Sequence, residues 1–275
     1  MAFSIVTPSL NGGAWLPLCI NSVADQNIAV EHLVQDAGST DGSLEWLVKD
    51  TRARLVSEPD GGLYDALNRG FRQSTADILA WLNCDEQYLP GALARVEKFF
   101  AAHPDVDVVF GDVVMADEAG EYLWHRKVEV PLLYHTWTCH LSTLSCATFF
   151  RRRLFERGLG TFDATYRCGG DGEWMVRLLR AGVRMAVLRE FTSVFTQTGR
   201  NLGQSRQARE EWRRLRNTAP GWVRALSPLW IAGHRMRRWL NGAYRQEPFE
   251  FILYTQTSPS QRVKRVVDTP RAFQT

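Results

Sequence analysis

The sequence predicts an α/β fold in which a mostly parallel sheet is flanked by helices and followed by a basic, partly helical extension. In the first 115 residues, apolar runs rich in β-branched residues alternate with segments of helical period, which is typical of βαβ units. Arginines are concentrated late in the chain, and 45% hydrophobic residues over 275 positions fit one core with an appendage. We therefore predict a domain over residues 1–200 and an extension over residues 201–275.

The predicted strands are apolar segments bounded by turn formers, at residues 3–7, 31–35, 53–57, 78–82, 106–110, 146–150 and 184–188. Apolar residues spaced three and four apart predict helices near residues 44–48, 64–71, 93–100 and 173–181. Small or acidic residues directly follow each of the first four strands. Because the carboxyl ends of parallel strands meet at one edge, these loops predict a carboxylate-rich ligand crevice.

Acidic clusters end the second and fourth strands. Asp36 is the first residue of the turn over residues 36–42. A helix cap in this turn would explain Asp41, but it would not explain an aspartate at position 36, the end of the strand. Asp85 and Glu86 follow strand four, where two adjacent acids would be costly to bury without a cation, a hydrogen-bond donor or water. Carboxylate oxygens suit Mg²⁺ or Mn²⁺, which bridge substrate phosphates. The residues alone leave open a metal site and a solvated loop in which Glu86 begins a helix.

A glycine-rich loop over residues 168–172 precedes the last predicted helix and contains Asp171. This aspartate fits an N-cap and a catalytic carboxylate equally well. The chain lacks G-x-G-x-x-G after its first strand, G-x-x-x-x-G-K-[ST], G-x-S-x-G and H-E-x-x-H, which argues against dinucleotide dehydrogenases, P-loop NTPases, serine hydrolases and zincins. Six scattered histidines are interpreted as packing or surface residues, and five cysteines without a C-x-x-C pair as reduced thiols.

Taken in order, the motifs resemble those of family 2 glycosyltransferases of the GT-A fold. They are S-I-V-T-P-S-L-N, V-Q-D-A-G-S-T-D-G-S, S-E-P-D-G-G-L-Y-D-A-L-N-R-G, L-A-W-L-N-C-D-E, F-F-R-R and G-G-D-G-E-W-M-V-R-L, within residues 3–190. The resemblance implies a GT-A type, Rossmann-like sheet. It also implies transfer of a sugar, with inversion, from a nucleotide-diphospho-sugar to an acceptor hydroxyl in cell-envelope polysaccharide or glycolipid synthesis. UDP is favoured as the nucleotide by its frequency in the family.

The resemblance further implies a role for each site residue. The residues implied to bind the nucleotide-sugar are Thr7, Pro8, Ser9, Asp36, Asp60, Asn83 and Cys84. Asp85 matches the last position of the family's D-x-D motif and implies a ligand for Mn²⁺ or Mg²⁺, while Asp171 matches the general base. Asn83 replaces the first acid of D-x-D, and residues 195–203 lack a histidine that many relatives carry. That stretch predicts a mobile lid whose Arg200 reaches the diphosphate.

The extension needs a separate interpretation. Residues 200–245 hold eleven arginines and no lysine, with two glutamates as the acids. Trp222, Leu226, Leu229 and Trp230 have near-helical spacing, so residues 206–245 predict either a helix on an anionic membrane surface or one whose aromatics pack on the core. No nucleic-acid motif accompanies the arginines, so no nucleic-acid partner is expected.

The expected partners are the donor and a glycan or lipid-linked acceptor. The lack of a long apolar run or a basic leader predicts a cytoplasmic protein, and the membrane-surface interpretation would place it peripherally at the inner face of the membrane.

Two alternatives share an α/β nucleotide site. A sugar-nucleotide pyrophosphorylase would need a basic glycine-rich loop after strand one, and residues 11–15 carry no charge. A catalytically degenerate nucleotide-sugar-binding protein is suggested by the neutral Asn83. Donor hydrolysis and pyrophosphate exchange distinguish these functions.

Overall fold

A mixed sheet of nine strands lies at the centre of residues 2–199 and 201–273, the part of the chain that the computed structural model describes. Its strands are β1 (Phe3–Ser9), β2 (Val30–Asp36), β3 (Arg54–Ser57), β4 (Ile78–Trp81), β5 (Glu86–Tyr88), β6 (Val108–Asp117), β7 (Tyr122–Arg126), β8 (Thr148–Arg151) and β9 (Met185–Gln197). The order is β3-β2-β1-β4-β8-β6-β9-β5, and β7 pairs with β6. Strands β3, β2, β1 and β4 are parallel, as are β6 and β9, whereas β8, β5 and β7 run antiparallel to their partners. This arrangement confirms the predicted α/β class.

Helices cover both faces of the sheet. They are α1 (Leu16–Ala24), α2 (Ser43–Leu47), α3 (Leu63–Gln73), α4 (Ala92–Ala102), α5 (Leu133–Thr138), α6 (Arg153–Glu156), α7 (Gly170–Arg180), α8 (Arg206–Asn217), α9 (Gly221–Ala225) and α10 (Ser227–Leu240). Because successive residues of a strand point to opposite faces, Ile5 packs with α1 and α4 while Val6 packs with α3 and α7. The second face is rich in aromatics, with Trp174 against Trp81 and Phe150.

The first four predicted strands are found in place, but β6 and β9 continue well beyond the predicted segments. Their extensions pair with each other in parallel over residues 108–117 and 185–197, through two register irregularities at Asp112. Helix α1 was not predicted because its buried residues lie on nearly all of its faces, so the sequence shows no one-sided apolar stripe. The predicted strand at residues 146–150 begins instead with a 3-10 turn, Ser145–Ala147.

The extension is helical only in its first part. After α10 the chain forms an antiparallel hairpin of β10 (Phe249–Thr255) and β11 (Ser258–Val267), whose Phe251 and Leu253 pack against Val114 and Val194 of the main sheet. The boundary at residue 200 stays a prediction, and apolar contacts cross it. In the described ranges, each helix is too short or too polar to traverse a bilayer.

Candidate active site

The ends of β1, β2 and β4 lie together, as parallel pairing requires. Ser9 is the register partner of Asp36, and the Ser9 carbonyl accepts a hydrogen bond from the Ala37 N–H at 2.9 Å. The Cys84 thiol, which follows β4, donates to the Pro8 carbonyl at 3.4 Å. Four predicted nucleotide-binding residues therefore share one strand-end cluster.

Thr7 is placed differently from its neighbours Pro8 and Ser9. Its side chain is fully buried, and its hydroxyl lies 2.9 Å from His32 Nε2 and 3.5 Å from Cys19 Sγ. The Thr7 side chain therefore makes its contacts inside the protein. Its predicted contact with the nucleoside would have to be made by its backbone atoms.

Asp36 organises the loop that follows β2. Its Oδ1 accepts the N–H groups of Gly38 and Ser39, both at 2.8 Å, and its Oδ2 accepts the Ser39 hydroxyl at 2.5 Å. The interpretation that a helix cap explains Asp41 and leaves Asp36 unexplained is thus corrected, because the N-cap residue of α2 is Gly42 and both carboxylates close local turns. The Ser57 hydroxyl is a fourth donor to Asp36, at 3.4 Å, and Asp36 is fully buried, so its four acceptor positions are taken within the protein. A nucleobase would have to replace one of these donors, and that contact stays a prediction.

The predicted donor residue Asp60 lies in a loop that adjoins the loop of Asp171. Asp60 Oδ1 accepts the Gly62 N–H at 2.7 Å. Gly62 has a φ of +107°, and a Cβ there would lie 2.4 Å from Arg167 Nη1. Any other residue at position 62 would therefore collide with the Arg167 side chain where it crosses this loop. Arg167 was not predicted, because nothing in its local sequence indicates that it meets a loop about a hundred residues earlier.

Asp85 and Glu86 have very different surroundings. Glu86 is buried in β5, where it accepts the Ser145 hydroxyl at 2.7 Å and the Asn83 N–H at 2.8 Å. Burial, followed by the negative charge of Asp85, raises the pKa of Glu86 to about 8. Asp85 is half-buried, and burial raises its pKa as well. The alternative of a solvated loop with Glu86 beginning a helix is therefore wrong.

One carboxylate is available for a divalent cation at this cluster, because Glu86 is 1% exposed and faces the Ser145 hydroxyl and the Asn83 N–H inside the protein. Asp85 Oδ2 accepts the Asn201 side-chain amide at 3.2 Å. Magnesium and manganese are commonly held by one or two carboxylates, with substrate phosphates and water completing the shell. Asp85 fits this chemistry in the presence of a diphosphate. Asn201, from the stretch where relatives carry a histidine, was not predicted to contact it.

Asp171 is the second residue of α7, and the N-cap position is Gly169, so the N-cap alternative does not hold. Asp171 Oδ1 accepts the Gly172 N–H at 2.8 Å and the Tyr64 hydroxyl at 3.2 Å. Both bonds fall on one oxygen, which leaves Oδ2 for another proton donor. Burial raises the pKa of Asp171, and a raised pKa brings a general base closer to its working range.

The loop before Asp171 is held by the extension. Glu211 of α8 accepts three backbone N–H groups, from Arg167 at 2.9 Å, Cys168 at 2.8 Å and Gly169 at 2.9 Å. Burial raises the pKa of Glu211, but these N–H bonds outweigh it and leave the pKa lowered. Next to Glu211, the Trp212 ring packs so closely that a Cβ on Gly172 would lie 2.5 Å from it. A distant glutamate thus fixes the loop that leads into α7.

A short segment links the surroundings of Asp85 and Asp171. Asn201 contacts Asp85, and Ser205 Oγ lies 3.6 Å from Cys168 Sγ in the loop before Asp171. Four residues of chain reach at most about 14 Å, so this segment connects the Asp85 side chain to the loop before Asp171. A crevice shared by the two carboxylates stays a prediction. Residues 195–197 of the predicted lid belong to β9, and Arg200 lies outside the described residues, so its contact with the diphosphate stays a prediction.

Comparison with known proteins identifies the family. Residues 4–166 match the family model described as Glycosyl transferase family 2. The chain belongs to this family. The glycosyltransferase is 34% identical over 183 residues to the PGL/p-HBAD biosynthesis glycosyltransferase of Mycobacterium bovis, a match covering 64% of this chain and 68% of that protein. It is 25% identical over 187 residues to an uncharacterized glycosyltransferase of Nostoc, with 62% and 58% covered.

Solved structures show the same fold. S. aureus TarS 1-349 in complex with UDP-GlcNAc aligns with a TM-score of 0.64 at 17% identity, covering 88% of this glycosyltransferase and 75% of that chain. The mannosyltransferase PcManGT of Pyrobaculum calidifontis, in complex with GDP-Man and Mn2+, aligns with a TM-score of 0.53 at 17% identity, covering 85% and 75%. These likenesses confirm the predicted GT-A fold.

Proposed function

We propose that this glycosyltransferase moves a sugar from a nucleotide-diphospho-sugar, with UDP as the favoured nucleotide, to an acceptor hydroxyl with inversion. The observation that carries the proposal is Asp171, a half-buried carboxylate whose hydrogen bonds to described residues fall on Oδ1, beside a loop that residues 201–205 link to Asp85. The donor class is supported by TarS and PcManGT, which were solved with UDP-GlcNAc and with GDP-Man and Mn2+.

The chemistry assigned to the chain is a single displacement. Asp171 takes the proton of the acceptor hydroxyl as its oxygen attacks the anomeric carbon and the nucleoside diphosphate leaves, so the configuration inverts. General-base assistance of this kind typically contributes about 10²- to 10⁴-fold in rate. Asp85 would hold Mn²⁺ or Mg²⁺ together with the diphosphate, and the ion would neutralise charge on the leaving group. The pocket of Pro8, Ser9, Asp36 and Cys84 would hold the nucleoside.

Donor binding can be tested by calorimetry with UDP, GDP and dTDP, in Mn²⁺ and then in excess chelator. We expect at least one nucleotide to bind in Mn²⁺ and to lose affinity in chelator. Unchanged affinity for every nucleotide that binds would contradict the metal assignment. Pyrophosphate-dependent exchange without transfer would favour the pyrophosphorylase, and nucleotide binding without donor hydrolysis would favour the degenerate binding protein.

We also propose a lipid-linked or glycan acceptor of the cell envelope, with the enzyme docked on an anionic membrane surface. Helices α9 and α10 expose a stripe of apolar residues at helical spacing, each 37–68% exposed: Trp222, Leu226, Leu229, Met236 and Leu240. The alternative in which the aromatics pack on the core describes Trp230, which is half-buried against Tyr134 of α5, and in part Trp222, whose ring also contacts Tyr134. Arg224 and Arg235 lie beside the stripe, whereas Arg237 and Arg238 turn inward to the Val130 and Phe273 carbonyls.

Membrane docking is best tested with point substitutions. Truncation at Asn201 would also remove Glu211, which holds the loop before Asp171. Trp222→Ser with Leu229→Ser should weaken co-sedimentation with phosphatidylserine-containing vesicles, since each exposed apolar side chain inserted contributes on the order of 1.5 kcal/mol or more. Binding should also fall as salt rises, because each basic residue near the surface contributes about 1 kcal/mol. The matched control is Val48→Ser, which changes an apolar residue that is 73% exposed elsewhere. Equal sedimentation of all three proteins would remove the docking proposal.

A further inference from the structure

Three of the six histidines converge in space although they are scattered in the sequence. His135 lies on α5, His140 follows that helix, and His234 lies on α10 of the extension. One ring nitrogen from each lies within 4.8 Å of the others. We propose that His135, His140 and His234 form a site for a transition-metal ion of the zinc type, separate from Asp85. Imidazole nitrogen is the ligand that zinc, copper and nickel accept readily, whereas Mg²⁺ and Ca²⁺ prefer oxygen.

Burial without hydrogen bonding is the first argument for a ligand at these histidines. His135 is 1% exposed and His234 is 3% exposed. Within the described residues, both ring nitrogens of His135 and Nε2 of His140 are buried without a hydrogen-bond partner. A buried polar atom without a partner is unfavourable, so such a cluster calls for an ion or ordered water. A metal ion would satisfy one nitrogen of each ring at once.

The protonation state of the three rings suits ligation. Burial lowers the pKa of His135 to about 4, and that of His140 and His234 to about 3, with nearby rings and arginines adding to the effect. The imidazoles are therefore neutral at physiological pH and keep the lone pairs that bind metal.

The charges around the cluster oppose a cation in part. The guanidinium groups that act on the three rings belong to Arg126, Arg235, Arg237 and Arg238. Buried Glu129 offsets some of this charge, because it pairs with Arg237 at 3.5 Å and acts on Arg238. An anionic fourth ligand such as hydroxide would offset more of it. We accordingly expect zinc to bind as a complex of three imidazoles and one exchangeable anion or water.

Metal binding would bring the three ring nitrogens closer together than the 4.8 Å within which they lie. Zinc–nitrogen bonds of about 2.0–2.1 Å in a tetrahedral site place the nitrogens roughly 3.3 Å apart. The rings of His135 and His234 are stacked with centroids 4.1 Å apart, and those of His135 and His140 are 4.5 Å apart in a T-shaped arrangement. The rings are thus already in contact, and turning them toward a common point would close the site. The ion would then fasten α10 of the extension to α5.

The experiment uses the full chain, dialysed against chelator and then against metal-free buffer, without nucleotide. Titration with ZnCl₂ by calorimetry should show one equivalent bound, and the melting temperature should rise with zinc concentration. Co²⁺ should give the visible absorption of a tetrahedral site. His140→Ala, which changes the least buried of the three, should weaken zinc binding by at least about tenfold, as should His234→Gln.

Two controls keep the outcome unambiguous. His103→Ala changes an exposed histidine, and Asp85→Asn changes the proposed catalytic metal ligand, so both should bind zinc as the wild type does. Circular dichroism should be used to check that His140→Ala is folded. The proposal is overturned if the wild type binds no stoichiometric zinc, if His140→Ala binds it equally well, or if Asp85→Asn abolishes binding. Co²⁺ without tetrahedral bands in the wild type would also overturn it, whatever the behaviour of the variants.

Discussion

The proposed active site has a donor side and a base side, and the two are built in different ways. The donor side consists of Pro8, Ser9, Asp36, Cys84 and Asp85, which are brought together by strand register and by loops that close on themselves. The base side consists of Tyr64, residues 168–172 and Glu211, which are brought together by contacts between distant parts of the chain. Glu211 is 42 residues from Gly169, and Tyr64 is 107 residues from Asp171. Local sequence therefore determines the donor side, whereas the base side depends on tertiary packing.

This difference implies that a substitution can impair turnover without impairing donor binding, and the reverse. A change on the base side should lower turnover and leave donor affinity in place, because neither Tyr64 nor Glu211 touches the strand-end cluster in the described contacts. A change at Asp85 should act first on donor binding. Four substitutions test this separation, and the largest effect is expected at the base itself.

Asp171→Asn should lower transfer by about 10²- to 10⁴-fold, because an amide cannot take the acceptor proton. Donor affinity and melting temperature should stay near the wild-type values, since the amide keeps the shape and the acceptor oxygen that Gly172 and Tyr64 use. The measurements are initial rates, nucleotide calorimetry and thermal unfolding. If the variant keeps more than about a tenth of wild-type turnover, the base must be sought at Glu173 or Asp163.

Asp85→Asn should weaken Mn²⁺-dependent binding of the nucleoside diphosphate by about ten- to a hundredfold, because it removes the charged ligand of the cluster. The same variant should bind nucleotide in chelator as weakly as the wild type does. Calorimetry with and without Mn²⁺ measures both. Loss of turnover with donor affinity unchanged in Mn²⁺ would place Asp85 on the base side and contradict the separation.

The same contrast explains how much the sequence could predict. The strands β1 to β4 and the acidic clusters at their ends follow from apolar segments and turn formers, which act over a few residues. Nothing local marks Glu211, because a glutamate in an arginine-rich helix is typical of an exposed ion pair, as its neighbour Glu210 shows with Arg206. Arg167 on Gly62, Asn201 at Asp85 and the meeting of the three histidines are likewise products of packing. The hairpin at residues 249–267 was missed because it follows a long helical segment.

Glu211→Gln tests whether the extension belongs to the base side. The amide keeps one acceptor oxygen but loses the charge-assisted bonds to three N–H groups, so we expect a loss of about 1.5–3 kcal/mol in the free energy of unfolding. We expect turnover to fall about tenfold, equivalent to 1.4 kcal/mol in the barrier, as the loop before Asp171 loosens. Donor affinity should not change. Initial rates, calorimetry and denaturant unfolding measure the three quantities.

The matched control is Glu210→Gln, which removes the neighbouring carboxylate from an exposed pair worth about 0–1 kcal/mol. The pH dependence adds a second test. Because the pKa of Glu211 is lowered in the folded state, its contribution is present above its unfolded pKa of about 4.3 and is lost as pH falls through the folded value. Glu211→Gln should therefore lose less stability on acidification than the wild type. Equal behaviour of the two variants would separate the extension from the base.

Tyr64→Phe should have the smallest effect. It sharpens the comparison because Tyr64 follows the loop of Asp60, a residue predicted to bind the donor, whereas its hydroxyl contacts the proposed base Asp171. Burial, followed by the charge of Asp171, raises the pKa of Tyr64, so its hydroxyl stays protonated, and its one proton is shared between Asp171 Oδ1 and the Cys168 carbonyl, both at 3.2 Å. Removing this donor should raise the pKa of Asp171 further. A base works only when deprotonated, so the acid limb of kcat/KM should move to higher pH. A bond of about 1.5 kcal/mol corresponds to roughly one pH unit. Turnover at pH values well above the acid limb should hardly change.

Tyr254→Phe is the control, because that tyrosine donates to Asp25 at 2.9 Å, in a different part of the molecule. If the acid limb of Tyr64→Phe does not move, the pKa of Asp171 does not depend on this contact. A loss of donor affinity in the same variant would show that the two sides are coupled through α3.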